Sequence, residues 1–301
     1  MIIVKFQGGL GNQISQYAFL RLMQNKYPGI KVKADLSFYN KNNDHQGYEL
    51  EKRFVSCKIE SASVMEMFLT MGKMVYPYKE GKCNKILDVA IRASNRLFPL
   101  KENQILHQSI ISGYPEENKF FELDTRKNWY LEGYWHSYDY SSIMENLRKE
   151  LSFQPLNDNR NRECLQLIKN RQSVSIHIRR GDYVNSGWDI IGDEYYTSAI
   201  QLLQKQIQNP IYIVFSDDIK YAQKMLDRIG CHDVRYVSWN QGENSYYDMY
   251  LMSQCKHNII ANSTFSYWAA QLNENQQKIV IRPEMQTRER KTWLVDGWIN
   301  M

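Results

Sequence analysis

Between residues 173 and 282 the chain repeats one pattern, and that pattern restricts the fold more than anything else in the sequence. Five short, mostly apolar runs, Ser173-Val-Ser-Ile-His-Ile178, Ile211-Tyr-Ile-Val-Phe215, Val234-Arg-Tyr-Val237, Asn258-Ile-Ile-Ala261 and Lys278-Ile-Val-Ile-Arg282, alternate with helical stretches at about 193–207, 218–229, 244–254 and 264–272. Near-continuous apolar strands belong to a sheet covered on both faces. Strands joined through helices pair in parallel. The second half is therefore predicted to be a doubly wound α/β domain.

The first half opens in the same way. A strand at about 2–6 runs into Gln7-Gly8-Gly9-Leu10-Gly11-Asn12, a helix starts near Gln13 with Ile14, Tyr17, Ala18 and Leu22 on one face, and Lys31-Val-Lys-Ala-Asp35 reads as the next strand. Residues 60–125 read as mixed helix and loop, followed by short β-like aromatic segments around Trp129–His136. The polar stretch Leu156-Asn-Asp-Asn-Arg-Asn-Arg162, just after Pro155, is the best linker candidate and divides the chain into 1–155 and 156–301. Two doubly wound α/β domains facing each other across a cleft are the expectation, and 301 residues suffice for two cores.

Composition excludes several classes. With 43% hydrophobic and 24% charged residues the chain is neither disordered nor collagen-like. Five cysteines, at 57, 83, 164, 231 and 255, form no Cys-x-x-Cys pair and have no zinc-spaced histidine, so they read as reduced thiols. The start Met1-Ile-Ile-Val-Lys-Phe6 lacks a basic leader and reads as a strand, and no apolar stretch approaches the roughly 18 residues of a membrane span. A soluble, cytoplasmic protein is expected. The formal charge of 38 − 33 = +5 is too weak to argue for nucleic acid. Locally it is not diffuse: residues 79–101 carry Lys79, Lys82, Lys85, Arg92, Arg96 and Lys101 against Glu80 and Asp88, with Ile86, Val89, Ala90, Ala93 and Leu97 at helical spacing and Phe98 closing the stretch. This predicts a basic amphipathic helix, either packed on the first domain as an ordinary solvated helix or lying on an anionic membrane surface.

In doubly wound sheets ligands bind at the carboxyl ends of the strands, so the residues that follow each strand are the candidate site. After the first strand, the glycines at 8, 9 and 11 allow close backbone approach and lead into a helix N-terminus. The dinucleotide pattern fails, because Ile14 stands where its third glycine belongs, and no Lys-Ser/Thr marks a Walker loop. After 173–178 come His177, Arg179 and Arg180, then Gly181-Asp182-Tyr183. Two guanidiniums and an imidazole there are costly unless an anion meets them, and a diphosphate suits the arginine fork; an internal pair with Asp182 would still leave one arginine over. Asp217 and Asp218 can accept from a guanine edge or ribose hydroxyl, or cap the next helix. Asn262-Ser263-Thr264-Phe265 enters a helix as a second phosphate cradle. No Asp-x-Asp occurs, which argues against a divalent metal site.

Together, Gly8-Gly9-Leu10-Gly11-Asn12-Gln13, His177-Ile178-Arg179-Arg180-Gly181-Asp182-Tyr183, Phe215-Ser216-Asp217-Asp218 and Asn262-Ser263-Thr264-Phe265-Ser266-Tyr267-Trp268 resemble, in order and spacing, the motifs of the bacterial α-1,2-fucosyltransferases of glycosyltransferase family 11. Asn43-Asp44-His45-Gln46-Gly47-Tyr48 is similar to those encoded with O-antigen polysaccharides, whereas Gly133-Tyr134-Trp135-His136 departs from a frequent Gly-Tyr-Trp-Gln. The resemblance implies a GT-B type fold with an acceptor-side first domain and a GDP-sugar-binding second domain. It also implies GDP-β-L-fucose as donor, no cofactor, and inverting transfer to O2 of a terminal β-galactose in a surface polysaccharide, for which a lipid-linked acceptor is one form. By that analogy Arg179 contacts the diphosphate and leaving oxygen, with His177 and Arg180 beside it, and Gly9, Gly11, Asn12, Asp182, Asp217, Asp218, Asn262, Ser263, Thr264 and Phe265 hold the donor. The general base is open among Asp35, Glu132, Asp44, His45 and His136. A different GDP-sugar, a nicotinamide-dependent enzyme using Asp35 on a ribose, and a non-catalytic glycan- or nucleotide-binding protein are the rival readings.

Overall fold

The computed structural model describes residues 1–40, 46–79, 85–107, 120–136, 138–181, 183–186, 191–284 and 295–301, with backbone only at 85–88 and 185–186. The chain divides into two compact units, one comprising the described residues of Met1–Ser152 and the other those of Phe153–Gln286 and Leu294–Met301. The polar stretch 156–162 lies just after the boundary at Ser152/Phe153, and its last four residues belong to a helix. Asp158 accepts a hydrogen bond from the Asn161 amide at 2.9 Å and caps a helix that begins at Asn159, so its polarity serves a helix N-terminus inside the second unit.

The first unit is built on strands β1 (Ile2–Lys5), β2 (Val32–Asp35), β3 (Ile105–His107) and β4 (Trp129–Glu132), all parallel in the order β2-β1-β4-β3. Its described helices are α1 (Leu10–Lys26), α2 (Leu50–Arg53), α3 (Val64–Met71), α4 (Lys85–Asn95) and α5 (Met144–Glu150). Helix α1 starts three residues before Gln13, which places Gly11 and Asn12 in its first turn. Phe19 stacks on Trp135 with ring centres 3.8 Å apart, and both are fully buried. Burial of that size contributes about 1.5–3 kcal/mol per large side chain. Of the basic amphipathic stretch expected over 79–101, residues 80–84 lie outside the described residues and α4 ends at Asn95; among its described side chains Ile91 is buried and Val89 exposed, and Leu97 and Phe98 lie beyond the helix.

The second unit has strands β5 (Gln172–Ile178), β6 (Pro210–Ser216), β7 (Val234–Val237), β8 (His257–Ile259), β9 (Val280–Arg282) and β10 (Ile299–Asn300), parallel throughout in the order β10-β9-β8-β5-β6-β7. Its described helices are α6 (Asn159–Asn170), α7 (Tyr183–Ser186), α8 (Asp193–Gln206), α9 (Ile219–Ile229), α10 (Tyr246–Gln254) and α11 (Thr264–Leu272). Every residue of β5 after Gln172 is buried, as a central strand covered on both faces requires. Both units are α/β with all-parallel sheets.

Candidate functional site

Strand order fixes where a ligand can enter the second unit. From β5 the chain moves outward through β6 to β7, then returns to the other side of β5 for β8, β9 and β10. The connections after β5 and β8 leave in opposite directions, so their carboxyl ends border the crevice where sheets of this kind bind ligands. The two loops at that point are those that carry His177-Ile178-Arg179-Arg180 and Asn262-Ser263-Thr264.

His177 is buried near the end of β5. Burial, with the Arg179 cation beside it, lowers its imidazole to about 3, so it is neutral at ordinary pH and adds no positive charge to the site. Its carbonyl accepts from the Tyr196 hydroxyl at 3.1 Å and its ring centre lies 6.0 Å from that of Phe265. Its Nδ1 is buried without a hydrogen-bond partner in the protein, an uncommon state for a buried polar atom.

The two arginines are held by the end of β6. Asp217 accepts from Arg179 Nη1 at 3.0 Å and from the Arg180 backbone amide at 2.8 Å, so one carboxylate fixes the turn on both sides. Gly181 makes that approach possible, since a Cβ there would come within 2.7 Å of Asp217 Oδ2. Arg180 Nε lies 3.8 Å from Asp218 Oδ2, and its guanidinium carbon sits 3.7 Å from the centre of the Tyr221 ring, a cation–π arrangement. The expected pairing therefore needs correction: no arginine is left over, because both meet carboxylates from β6 or the loop after it, while Asp182 lies outside the described residues. A guanidinium offers five N–H donors in a fixed fork, so a carboxylate on one side orients it toward an anion on another.

Opposite, Ser263 caps α11 by accepting from the Phe265 amide at 3.3 Å, and Ser266 Oγ accepts from the Ala261 amide at 3.2 Å. Asn262 and Ser263 are buried and Thr264 and Phe265 half-buried. Tyr183, its ring centre 5.4 Å from the Arg179 guanidinium carbon, donates to the Asn262 carbonyl at 3.4 Å and ties the two loops together. Helix N-termini favour anions, and here one stands beside two oriented guanidiniums. Asp218 also caps α9, accepting from the Tyr221 amide at 3.0 Å. The roles of Tyr183 and Tyr221 were not legible from sequence, where Tyr183 only closes the arginine motif and Tyr221 falls within the helix at about 218–229.

At the corresponding end of the first sheet, Gly8 rather than Gly9 or Gly11 takes the left-handed conformation, with φ +80°. Its carbonyl accepts from Gln13 Nε2 and the Tyr39 hydroxyl, both at 3.1 Å. Gln13 also donates to the Gly47 carbonyl and accepts from the Glu49 amide. Gly9 is the extended N-cap of α1, Gly11 is buried and Asn12 half-buried. Both oxygens of buried Asp35 are engaged, by the Tyr130 hydroxyl at 2.7 Å and the Ser37 amide at 2.9 Å. Glu132 pairs with Lys5 and with His107 Nδ1, and His136 Nδ1 lies 3.1 Å from Ser15 Oγ. Asp44 and His45 lie outside the described residues. Among the described residues no group of three or more His, Cys, Asp or Glu is placed to hold a metal ion, and Cys57, Cys164, Cys231 and Cys255 are buried free thiols.

Two parallel-sheet α/β units, the second with oriented arginines and a helix N-terminus at its switch point, suit an enzyme that binds an anionic ligand such as a diphosphate. The chain belongs to glycosyltransferase family 11: the model "Glycosyl transferase family 11" matches residues 1–300. It is 28% identical to the O-antigen biosynthesis glycosyltransferase WbnK of Escherichia coli, over 98% of each chain. An alpha-1,2-colitosyltransferase of Escherichia coli is 30% identical over 94% of this chain and 91% of its own. Among solved structures, the fucosyltransferase NodZ from Bradyrhizobium overlaps 89% of this chain and 91% of its own, with a TM-score of 0.47 and 12% identity.

Proposed function

We propose that the protein is an inverting, metal-independent galactoside α-1,2-L-fucosyltransferase that moves fucose from GDP-β-L-fucose to O2 of a terminal β-galactose in an O-antigen repeat unit. The single observation that carries the reading is the pair of oriented arginines after β5 standing beside the capped N-terminus of α11. Transfer builds positive charge on the fucose ring and negative charge on departing GDP. Fixed positive charge at the β-phosphate is then the strongest lever on the rate. We assign that role to Arg179, with Arg180 and the first turn of α11 binding the diphosphate and Asp217 and Asp218 positioned for guanosine. The neutral imidazole of His177 serves as a hydrogen-bonding group there. Gly9, Gly11 and Asn12 are assigned to the donor as well, and acceptor binding to the rest of the first unit. In this reading the enzyme works in the cytoplasm on a lipid-linked acceptor.

Incubation with GDP-fucose and lactose, followed by mass spectrometry, tests the reaction. Release of GDP with a product heavier by one fucose supports it, and GDP release without a fucosylated product, or neither, refutes it. Activity undiminished by EDTA is expected; a rate that collapses and returns with Mn²⁺ would overturn metal independence. A second reading, transfer of another GDP-sugar, is favoured by the 30% identity to a colitosyltransferase. Parallel assays with GDP-fucose and a GDP-sugar lacking the 3-hydroxyl separate the two.

A further inference from the structure

Six of the eight exposed large apolar side chains among the described residues fall within one short stretch of the first unit: Met65, Leu69, Val89, Leu97, Phe98 and Leu100. They are brought together by specific contacts. Met65 and Leu69 stand one turn apart on α3, whose Phe68 packs edge-on against Phe98 with ring centres 4.9 Å apart. Lys101 donates from its backbone to the Met71 carbonyl at 2.9 Å and from Nζ to the Leu69 carbonyl at 3.0 Å, pinning the 97–101 segment alongside α3. Lys73 donates to the carbonyls of Asn95 and Phe98, and Asn95 exchanges hydrogen bonds with the Met74 backbone, which secures the end of α4 to the same surface.

Cations accompany the apolar side chains. Arg92 follows Val89 at helical spacing on α4, Arg96 comes just after the helix, and Arg92, Arg96 and Lys101 are exposed. Leu97 is 79% exposed, Val89 65% and Met65 59%, far beyond the scattered surface leucine that needs no explanation. No helix among the described residues is long and apolar enough to cross a membrane. Projecting apolar side chains rimmed by Lys and Arg are the chemistry of a surface that dips into the headgroup layer of an anionic bilayer.

We propose that this composite surface, made of α3, α4 and the 97–101 segment, docks the first unit onto anionic phospholipid. The proposal does not depend on which sugar the enzyme transfers. It is tested by co-flotation of the full chain with vesicles of phosphatidylcholine alone and of phosphatidylcholine with about 30% phosphatidylglycerol. Flotation with the anionic vesicles only, weakened by added salt, is expected. Arg92→Gln combined with Arg96→Gln should weaken it about 25-fold, from about fivefold per cation near such a surface. Leu97→Ser with Leu100→Ser should abolish it, and both pairs of side chains are exposed, so melting should be unchanged. Absence of flotation at low salt, or flotation untouched by both double variants, overturns the proposal. Concentration-dependent self-association that Leu97→Ser with Leu100→Ser disrupts without vesicles assigns the surface to a second copy of the chain and equally overturns it.

Discussion

Each of the two units reverses its strand order beside its own first strand, β1 against β4 in one and β5 against β8 in the other, yet the two crevices are furnished differently. In the first unit, neutral amides close the turn around Gly8. Gln13 holds the Gly8 and Gly47 carbonyls, and Gln16 donates to the Gln7 and Gly133 carbonyls while accepting from the Gln7 amide. In the second, oriented guanidiniums, a helix N-terminus and a buried Nδ1 without a protein partner meet at one point. Topology makes the crevice in both; the side chains decide whether it is used to secure backbone or to receive an anion. Polar groups that satisfy the protein's own backbone mark the first case, and charge held ready with a donor or acceptor to spare marks the second.

Substitutions at the two crevices should separate these uses. The largest effect belongs to Arg179→Ala, which should lower the transfer rate at least about 100-fold, the size seen when one preorganised donor to a developing negative charge is lost. Near-normal turnover in that variant, measured as GDP release in the presence of acceptor, would remove the second crevice from the chemistry. Asp217→Asn should raise KM for the sugar nucleotide about tenfold or lower kcat by as much, because one charge-assisted hydrogen bond orients Arg179. Gly8→Ala should cost about 1–2 kcal/mol of stability, since φ +80° is left-handed, and should lower GDP affinity less than Arg179→Ala does, since a Cβ 2.5 Å from Asn12 Nδ2 displaces only that donor-side residue. Thermal melts compared with GDP titration read both quantities.

A separate effect, on stability and not on rate, is in pH dependence. Burial pushes Asp248 up to about 8, partly opposed by a hydrogen bond from Asn240 at 2.8 Å. The folded chain therefore keeps a proton that the unfolded chain releases, and the stability this group contributes is full below 3.8 and lost as pH rises to about 8. His177 acts in the opposite sense: lowered from 6.5 to about 3 in the folded chain, its contribution is full above 6.5 and lost as pH falls. Asp248→Asn should flatten the alkaline side of a melting-temperature profile recorded over about pH 5–8 and leave the acid side as it was. A profile unchanged on both sides would show that Asp248 ionises as an ordinary surface aspartate.

Much of this was legible in the sequence because it rests on continuous signals. The strands at 173–178 and 211–215 and the helices that follow are set by runs of apolar residues, and the structure keeps them to within a residue or two. Short elements were less legible. β3 has three residues and β10 two, too few to establish a period, and β8 is assigned only to Ile259 although the Ile260 amide still donates to the Ile281 carbonyl at 2.9 Å. Local polarity at 156–162 left the helix cap unread, because a cap and an intersegment linker draw on the same residue types. Which carboxylate meets which arginine could not be read from spacing, because Asp217 reaches Arg179 across two strands adjacent in the sheet but distant in sequence.

Strand β5 is hydrogen-bonded on one side to β6 and on the other to β8, and His177 lies on it with Arg179 immediately after. Backbone in that position opens to solvent only when the surrounding unit unfolds. Amides 174–178 should then exchange with deuterium at the rate of global unfolding, far more slowly than those of the loops around them. Heat should inactivate the enzyme at the temperature where the second unit melts and not before, since the arginine turn is attached to the last part of that unit to come apart.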